Sequence, residues 1–274
     1  LNITQALQTA KAQGLDHLEA AGLLLHVMAQ DPHDRAWLLL HGTDDLSTEQ
    51  LKLFKQLVLR RLQHEPMGYL TGWQEFHRLR LQVDARVLVP RPDTETLVDW
   101  ALKLESPQQA HVLDLGTGSG AIALALKNAR PDWSLSAVDA SADALQVAQA
   151  NAQRLGLALT WLHGDWFKPV SGVFDLIVSN PPYIAEQDPH LPALHAEPHQ
   201  ALVSGADGLE AIRHIIAQAP PQLKLGGWLL LEHGFDQAAK VQALLRQAGF
   251  GQVQSRKDLA GIQRCTGGQW PEVK

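Results

Sequence analysis

Residues 179–189 read Ser-Asn-Pro-Pro-Tyr-Ile-Ala-Glu-Gln-Asp-Pro, directly after the apolar run Phe174-Asp175-Leu176-Ile177-Val178. A strand normally hands over to a loop through Gly, Asn or Asp, and one proline is enough to stop it. Two consecutive prolines fix two φ angles and remove two donors, leaving stiff backbone rich in carbonyl acceptors. Planar nitrogens need such acceptors, because the lone pair of an amide or aromatic amine is held in resonance and attacks poorly. The Asn180 side-chain oxygen and the Pro181 carbonyl are placed to hold both N–H bonds and aim the lone pair at an electrophile. As the nitrogen becomes tetrahedral and positive, the same bonds strengthen, so they favour the transition state. Tyr183 offers a flat wall for the planar group, with its hydroxyl expected to bond outward. Asn180, Pro181 and Tyr183 are the candidate catalytic residues; with Pro182 they form the candidate substrate-binding set.

A second constellation precedes it. His111-Val112-Leu113-Asp114-Leu115-Gly116-Thr117-Gly118-Ser119-Gly120 reads as a strand followed by a glycine-rich turn that opens a helix. Glycines there permit a tight turn and close approach of a ligand to the backbone. Asp139, about 20 residues on at the end of Ser136-Ala137-Val138-Asp139, is placed to accept from ribose hydroxyls. A dinucleotide's pyrophosphate would be repelled by Asp114 beside the glycines, whereas a cationic ligand would be favoured. S-adenosylmethionine, with its sulfonium and ammonium, suits this turn better. Trp166, after the third strand, either lies against an adenine ring or serves as ordinary packing. The cofactor-binding candidates are Gly116, Thr117, Gly118, Ser119, Gly120, Asp139, Trp166 and Asn180.

These residues require a scaffold, and the pattern predicts one. Residues 1 to about 66 are helix-like, with one stripe at Leu15, Leu18, Ala21, Gly22 and Leu25. A second stripe at Leu51, Phe54, Leu57, Val58 and Leu62 follows a capping-box spacing at Ser47 and Gln50. Pro66 and Gly68 break the helical pattern. From Trp73 the period becomes two, with Phe76, Leu79, Leu81 and Val83 alternating with polar residues. A turn at Asp84-Ala85-Arg86 then leads into Val87-Leu88-Val89, predicting a connecting hairpin. Pro90-Arg91-Pro92-Asp93-Thr94-Glu95 starts a helix to about Leu104. Strand and helix signals then alternate to the C-terminus, which implies a doubly wound, mostly parallel sheet. The expected division is 1–70 helical recognition domain, 71–90 hairpin linker and 91–274 catalytic domain.

Composition narrows the class. The chain has 274 residues, 45% of them hydrophobic and 19% charged, which is ordinary for a globular protein. A net charge of −6 argues against a general nucleic-acid binder. The single cysteine, Cys265, cannot form an internal disulfide, which fits a reducing, cytoplasmic location. No apolar stretch reaches membrane-spanning length. His190, His195, His199 and Glu197 match no zinc spacing, and the histidines are expected as solvated loop residues, so no metal is expected. Gly267-Gly268-Gln269 is expected as a turn between the last strand and Trp270.

Gly116–Gly120, Asp139 and Asn180-Pro-Pro-Tyr183 together resemble a class I S-adenosylmethionine-dependent methyltransferase of the amino-methylating kind, a Rossmann-like α/β fold. The stretches VLVPRPDTETLVDWAL (87–102), GDWF (164–167), NPPYI (180–184) and EPHQALVSGADGL (197–209), with the helical N-terminus, resemble the release factor glutamine methyltransferase family. The resemblance implies methylation of the amide nitrogen (N5) of the glutamine in the Gly-Gly-Gln motif of class I peptide chain release factors, modulating translation termination. It implies no metal, nucleic-acid or membrane partner. It also implies that the N-terminal helices meet the release factor, and that Gly116–Gly120, Asp139, Trp166 and Asn180 contact the cofactor. The alternatives are a glutamine methyltransferase acting on a ribosomal protein, or an adenine or guanine amino methyltransferase. The latter requires a base-flipping pocket and a basic channel, and PRPDTE (90–95) favours the release factor enzyme over the ribosomal one.

Overall fold

The structure, a computed structural model, describes residues 1–271. The chain divides into two compact units, Leu1–Trp73 and the remainder from Gln74.

The first unit contains α1 (Ile3–Ala12), α2 (His17–Val27), α3 (Arg35–Leu40), α4 (Thr48–Leu62) and α5 (Met67–Thr71). Its core gathers Ala20, Leu23, Leu24 and Leu25 of α2 with Phe54, Leu57 and Val58 of α4. The capping box forms as its spacing predicts: Gln50 N donates to Ser47 Oγ at 3.1 Å and Ser47 N to Gln50 Oε1 at 2.8 Å. The first predicted stripe is only partly right. Asp16 accepts from Leu18 N at 2.8 Å and so starts α2 after Leu15, which rotates Leu18 outward to 53% exposure. Pro66 does not end the helical region but caps α5, where a missing N–H costs nothing. Gly72 closes α5 in the left-handed conformation, φ +79°.

In the second unit, β1 (Trp73–Phe76) and β2 (Leu79–Gln82) form the hairpin. Its turn is not at Asp84–Arg86: it is His77-Arg78, with φ +46° and +65°. Two positive φ angles usually call for Asn-Gly. Here α6 (Glu95–Lys103) supplies the compensation, because His77 N donates to Glu95 Oε1 at 2.8 Å and the His77 ring lies 3.2 Å from Asp99. Residues 87–89 are not a strand; they run as extended loop into the 3-10 turn Pro92–Thr94 that leads into α6.

Then follow β3 (His111–Leu115), α7 (Ala121–Ala129), β4 (Ser134–Asp139), α8 (Ala142–Leu155), β5 (Thr160–His163), β6 (Phe174–Ser179), α9 (Glu210–Gln218), β7 (Leu223–Glu232), α10 (Ala238–Gln247), β8 (Gly251–Lys257) and β9 (Gln263–Gln269). Among the described residues the sheet order is β5-β4-β3-β6-β7-β9-β8, parallel throughout except where β9 runs antiparallel to β7 and β8. Helices cover both faces, so the central strands are near-continuous apolar runs. Val112, Leu176, Val178 and Leu230 face a core shared with α6 and α7. Leu113, Ile177, Leu229 and Leu231 face the core beneath α9 and α10. Strand order reverses between the parallel neighbours β3 and β6, with β4 and β5 added on one side and β7 on the other, which places a crevice at their carboxyl ends.

Gly267-Gly268-Gln269 lies in β9, not in a turn. A Cβ on Gly267 would meet Leu230 Cδ2 at 2.4 Å, and the Gln269 side chain donates to Gly226 O at 2.8 Å. The glycines serve sheet packing.

The fully buried Asn151 of α8 ties the hairpin to the glycine turn. It accepts from Gln82 N at 2.7 Å and donates to Gln82 O and Ser119 O, both at 3.0 Å. Asn151→Ala strands these backbone groups and should cost about 2–4 kcal/mol. A lower urea midpoint at unchanged slope is the expected result.

Candidate active site

The crevice at the carboxyl ends of β3, β4 and β6 is lined by Gly116, Gly118, Asp139, Ser141, Trp166, Asn180 and Pro182. Opposite them stand Arg86, Val87 and Leu88, with Pro198, Gln200 and Ala201 from the loop before α9. Sequence reasoning assigned these opposing residues no role, although the VLVP and EPHQA stretches contain most of them.

Gly116, Gly118 and Gly120 adopt φ of +71°, +55° and +84°, left-handed values that a side chain strains to reach. A Cβ on Gly118 would meet nothing within 4 Å, so this glycine keeps space open above the strand. At Gly120 a Cβ would press on Leu124 at 2.9 Å and Ala148 at 3.2 Å, so this glycine serves helix packing instead. Four of the turn's five amides are already committed. Gly116 N and Thr117 N donate to Val138 O at 2.9 Å, Gly120 N to Thr117 O at 2.9 Å, and Gly118 N to Asp139 Oδ2 at 2.8 Å. A phosphate cradle needs such N–H groups free. This turn therefore suits a nucleoside ligand without a pyrophosphate.

Asp139 does more than present a surface acceptor. Its Oδ1 takes Ser141 N at 2.9 Å while its Oδ2 holds Gly118, so one carboxylate fixes two loops and still borders the cleft. Burial raises its pKa, opposed by the bonds from Ser141 and Gly118.

Asp114 departs from the sequence expectation of an acid facing the ligand. It is wholly buried beneath the turn, accepting from Thr117 Oγ1 at 2.7 Å. Thr117 is accordingly buried and points away from the cleft, as does Ser119. Asp114 braces the turn. Trp166, at φ +47°, borders the cleft beside Gly116, and its ring centroid lies 6.3 Å from that of His214.

Ser179 at the end of β6 donates to Leu115 O at 2.7 Å, fastening the two strand ends across the switch point. Asn180 follows, its Nδ2 donating to Thr94 Oγ1 at 3.2 Å. Among the described residues, neither Asn180 Oδ1 nor the Pro181 carbonyl accepts a hydrogen bond from the protein. Pro181 is buried, and Pro182 borders the cleft. Tyr183 does not send its hydroxyl outward: it points at the buried Glu232, 3.4 Å from Oε1. Burial and the Glu232 charge raise the Tyr183 pKa. The Tyr183 carbonyl accepts from Gln237 Nε2 at 3.0 Å. Beyond it, Ile184 pairs with Val203, so the NPPYI and ALVSG stretches support each other.

Glu197 is buried. It accepts from Val89 N at 3.1 Å and pairs with Arg91, joining two walls of the crevice. His190, His195 and His199 are exposed, and among the described residues no cluster of His, Cys, Asp and Glu is arranged to hold a metal ion. No helix there is long and apolar enough to cross a membrane.

A doubly wound sheet with an antiparallel seventh strand, a glycine turn with internally bonded amides and unfilled acceptors after β6 define a class I methyltransferase. Residues 93–206 match the Methyltransferase small domain family and residues 2–72 the PrmC N-terminal domain family. A release factor glutamine methyltransferase of Bordetella pertussis is 49% identical over 93% of this chain and 95% of its own length. One from Xylella fastidiosa strain 9a5c is 45% identical over 97% of this chain and 98% of its own. A methyltransferase crystal structure from Pyrococcus furiosus shares the fold at TM-score 0.57 and 19% identity, over 71% of this chain and 90% of that one. The chain belongs to the release factor glutamine methyltransferase family.

Burial pushes the Asp114 carboxyl from its ordinary 3.8 up to about 7, with the Thr117 bond opposing. The folded state thus binds more protons than the unfolded state between those values, so this group's contribution to stability falls as pH rises through that window. Asp114→Asn keeps an acceptor for Thr117 and cannot ionise. Its stability relative to wild type should increase from pH 5 to pH 8, read from urea midpoints at both pH values.

Proposed function

We propose that the cleft binds S-adenosylmethionine and that the chain methylates the side-chain amide nitrogen of the glutamine in the Gly-Gly-Gln motif of class I release factors. When bound, the cofactor would supply an electrophilic methyl on a sulfonium centre. Asp139 would accept from the ribose hydroxyls through its remaining lone pairs, and Gly116 and Gly118 would let the nucleoside approach the backbone. Trp166 would flank the adenine. Asn180 would stand between cofactor and substrate. The observation that carries the reading is the pair of unfilled acceptors, Asn180 Oδ1 and the Pro181 carbonyl, at the end of β6 beside the glycine turn.

Those acceptors hold the substrate's N–H bonds, turn its lone pair toward the cofactor and gain strength as positive charge develops on nitrogen. No strong base is required, since the product nitrogen loses its proton readily once alkylated. Pro182 and Tyr183 shape the wall against the planar amide. The helical unit Leu1–Trp73 contains none of the cleft residues, and its assigned role is to recognise the release factor. An acidic chain with net charge −6 gives no support to a nucleic-acid substrate.

Two substitutions test the assignments separately. Asn180→Ala should lower single-turnover transfer about 100- to 1000-fold, with cofactor affinity falling far less. An alanine variant as fast as wild type removes Asn180 from the chemistry. Asp139→Ala should weaken cofactor binding about tenfold or more, because a carboxyl acceptor is lost and Gly118 and Ser141 are released. Calorimetric affinity equal to wild type contradicts that role. Mass spectrometry of the product, locating the methyl on the glutamine side-chain nitrogen, tests the reaction itself.

A further inference from the structure

Pro181 and Pro182 bring no N–H with which to anchor the backbone, and the Pro181 carbonyl is left unfilled. The Asn180–Tyr183 segment therefore takes its course from its two ends. At the near end it is fixed by the pairing of β6 with β3 and by the Ser179 bond to Leu115 O. At the far end the Tyr183 carbonyl accepts from Gln237 Nε2 at 3.0 Å, and Ile184 N donates to Leu202 O at 2.9 Å. Gln237 stands just before α10 and is only 6% exposed, yet the chemistry above gives it no part.

Its neighbours dictate the direction of its amide. Gly234 N, 2.8 Å from Oε1, can only donate, and the Tyr183 carbonyl can only accept. Oxygen must face Gly234 and nitrogen Tyr183, with Asp207 O a further 3.5 Å acceptor for the NH₂ group. Gly234 is itself a fixed support. Its carbonyl accepts from Gln237 N at 3.1 Å and lies 2.8 Å from His233 Nδ1, which therefore carries the ring proton. That leaves His233 Nε2 to accept from Thr266 Oγ1 at 2.7 Å. Gly208, at φ +73°, completes the arrangement: a Cβ there would collide with the Tyr183 carbonyl and sit 2.8 Å from Gln237 Nε2. This glycine makes room for one hydrogen bond.

Resting on the reading of this cleft as an amide-methylating site, we propose that Gln237 is a positioning residue: by holding the Tyr183 carbonyl, it fixes where the Pro181 acceptor and the Tyr183 ring stand against the substrate amide. A shift of that carbonyl carries both with it, because the two prolines leave the intervening backbone stiff. Misplacing reacting groups by about 1 Å costs about 100-fold in rate.

Gln237→Glu is the isosteric test. An ionised carboxylate still accepts from Gly234 but sets acceptor against acceptor at Tyr183, whereas a protonated one restores the donor. Single-turnover transfer to a full-length release factor should be about 10- to 100-fold slower than wild type at pH 8.5. At pH 5.5 the ratio to wild type should recover to within about threefold, with calorimetric cofactor affinity within about twofold at both pH values. The titratable and charged groups around Gln237 come from several elements. Asp207 is held down to about 2 by its bond from Arg213, with Lys240 of α10 assisting. His233 is lowered by burial, with Arg264 and Asp236 acting on it. Tyr183 is raised by burial, and Glu232 behind it lies at about 7. All of these are present in both proteins, so the ratio isolates residue 237.

Gln237→Met removes both bonds at similar length and should be slow at both pH values. Hydrogen exchange in peptides spanning 180–186 should accelerate in it while exchange in β3 and β7 does not, which decides the matter even where Gln237→Glu folds poorly. A ratio for Gln237→Glu that does not change with pH, transfer by Gln237→Met equal to wild type, or unchanged exchange in 180–186 overturns the proposal. Wild-type protein that transfers no methyl to glutamine overturns the reading of the site instead, and that result is visible before any variant is made.

Discussion

Strand ends at a topological switch point carry polar backbone groups that need partners, yet a binding cleft needs some of those groups free. The structure meets both demands by bonding the donors internally and leaving acceptors unfilled. Val138 O takes the amides of Gly116 and Thr117, Asp139 takes those of Gly118 and Ser141, and Ser179 fastens β6 to β3. What remains exposed at the edge of the cleft is acceptor character, at Asp139 and Asn180. The ligand chemistry follows from that imbalance: hydroxyls, ammonium groups and amide N–H meet acceptors there.

The same imbalance accounts for the buried acids. Asp114, Glu197 and Glu232 are each nearly or fully enclosed, and each steadies a segment that borders the cleft. Asp114 holds Thr117 within the glycine turn, Glu197 holds Val89 and Arg91, and Glu232 accepts from the Tyr183 hydroxyl. Buried carboxyls lower stability when they ionise. Their placement therefore trades thermodynamic stability for fixed geometry, a pattern common where loops must present groups at defined angles.

Much of this was legible in the sequence because it is encoded locally. The strand–glycine–helix pattern around Gly116, the terminal Asp139 and the doubled proline after Asn180 each state their geometry within a few residues. The capping box at Ser47 and Gln50 does the same. Features that depend on distant partners were not legible. The hairpin turns at His77-Arg78, which lack Asn-Gly, because Glu95 and Asp99 on another element compensate the positive φ. Tyr183 turns inward because its partner Glu232 lies 49 residues away. Asp114 is one residue before a strand's end, and only the three-dimensional path of the turn reveals that it faces the core.

The Gly-Gly-Gln at the end of β9 shows how little a tripeptide says about its own accessibility. Its glycines are closed in by Leu230, Phe250 and Trp100, and its glutamine amide is bonded to Gly226 and Gln252. Under the proposed reading, the same three letters in a release factor must be displayed on chain free enough to enter a narrow crevice and surrender both N–H bonds to new acceptors. Selection among the many copies of this tripeptide in a proteome is then a filter on local foldedness. A glutamine already held by its own sheet is invisible to the enzyme, whatever residues flank it.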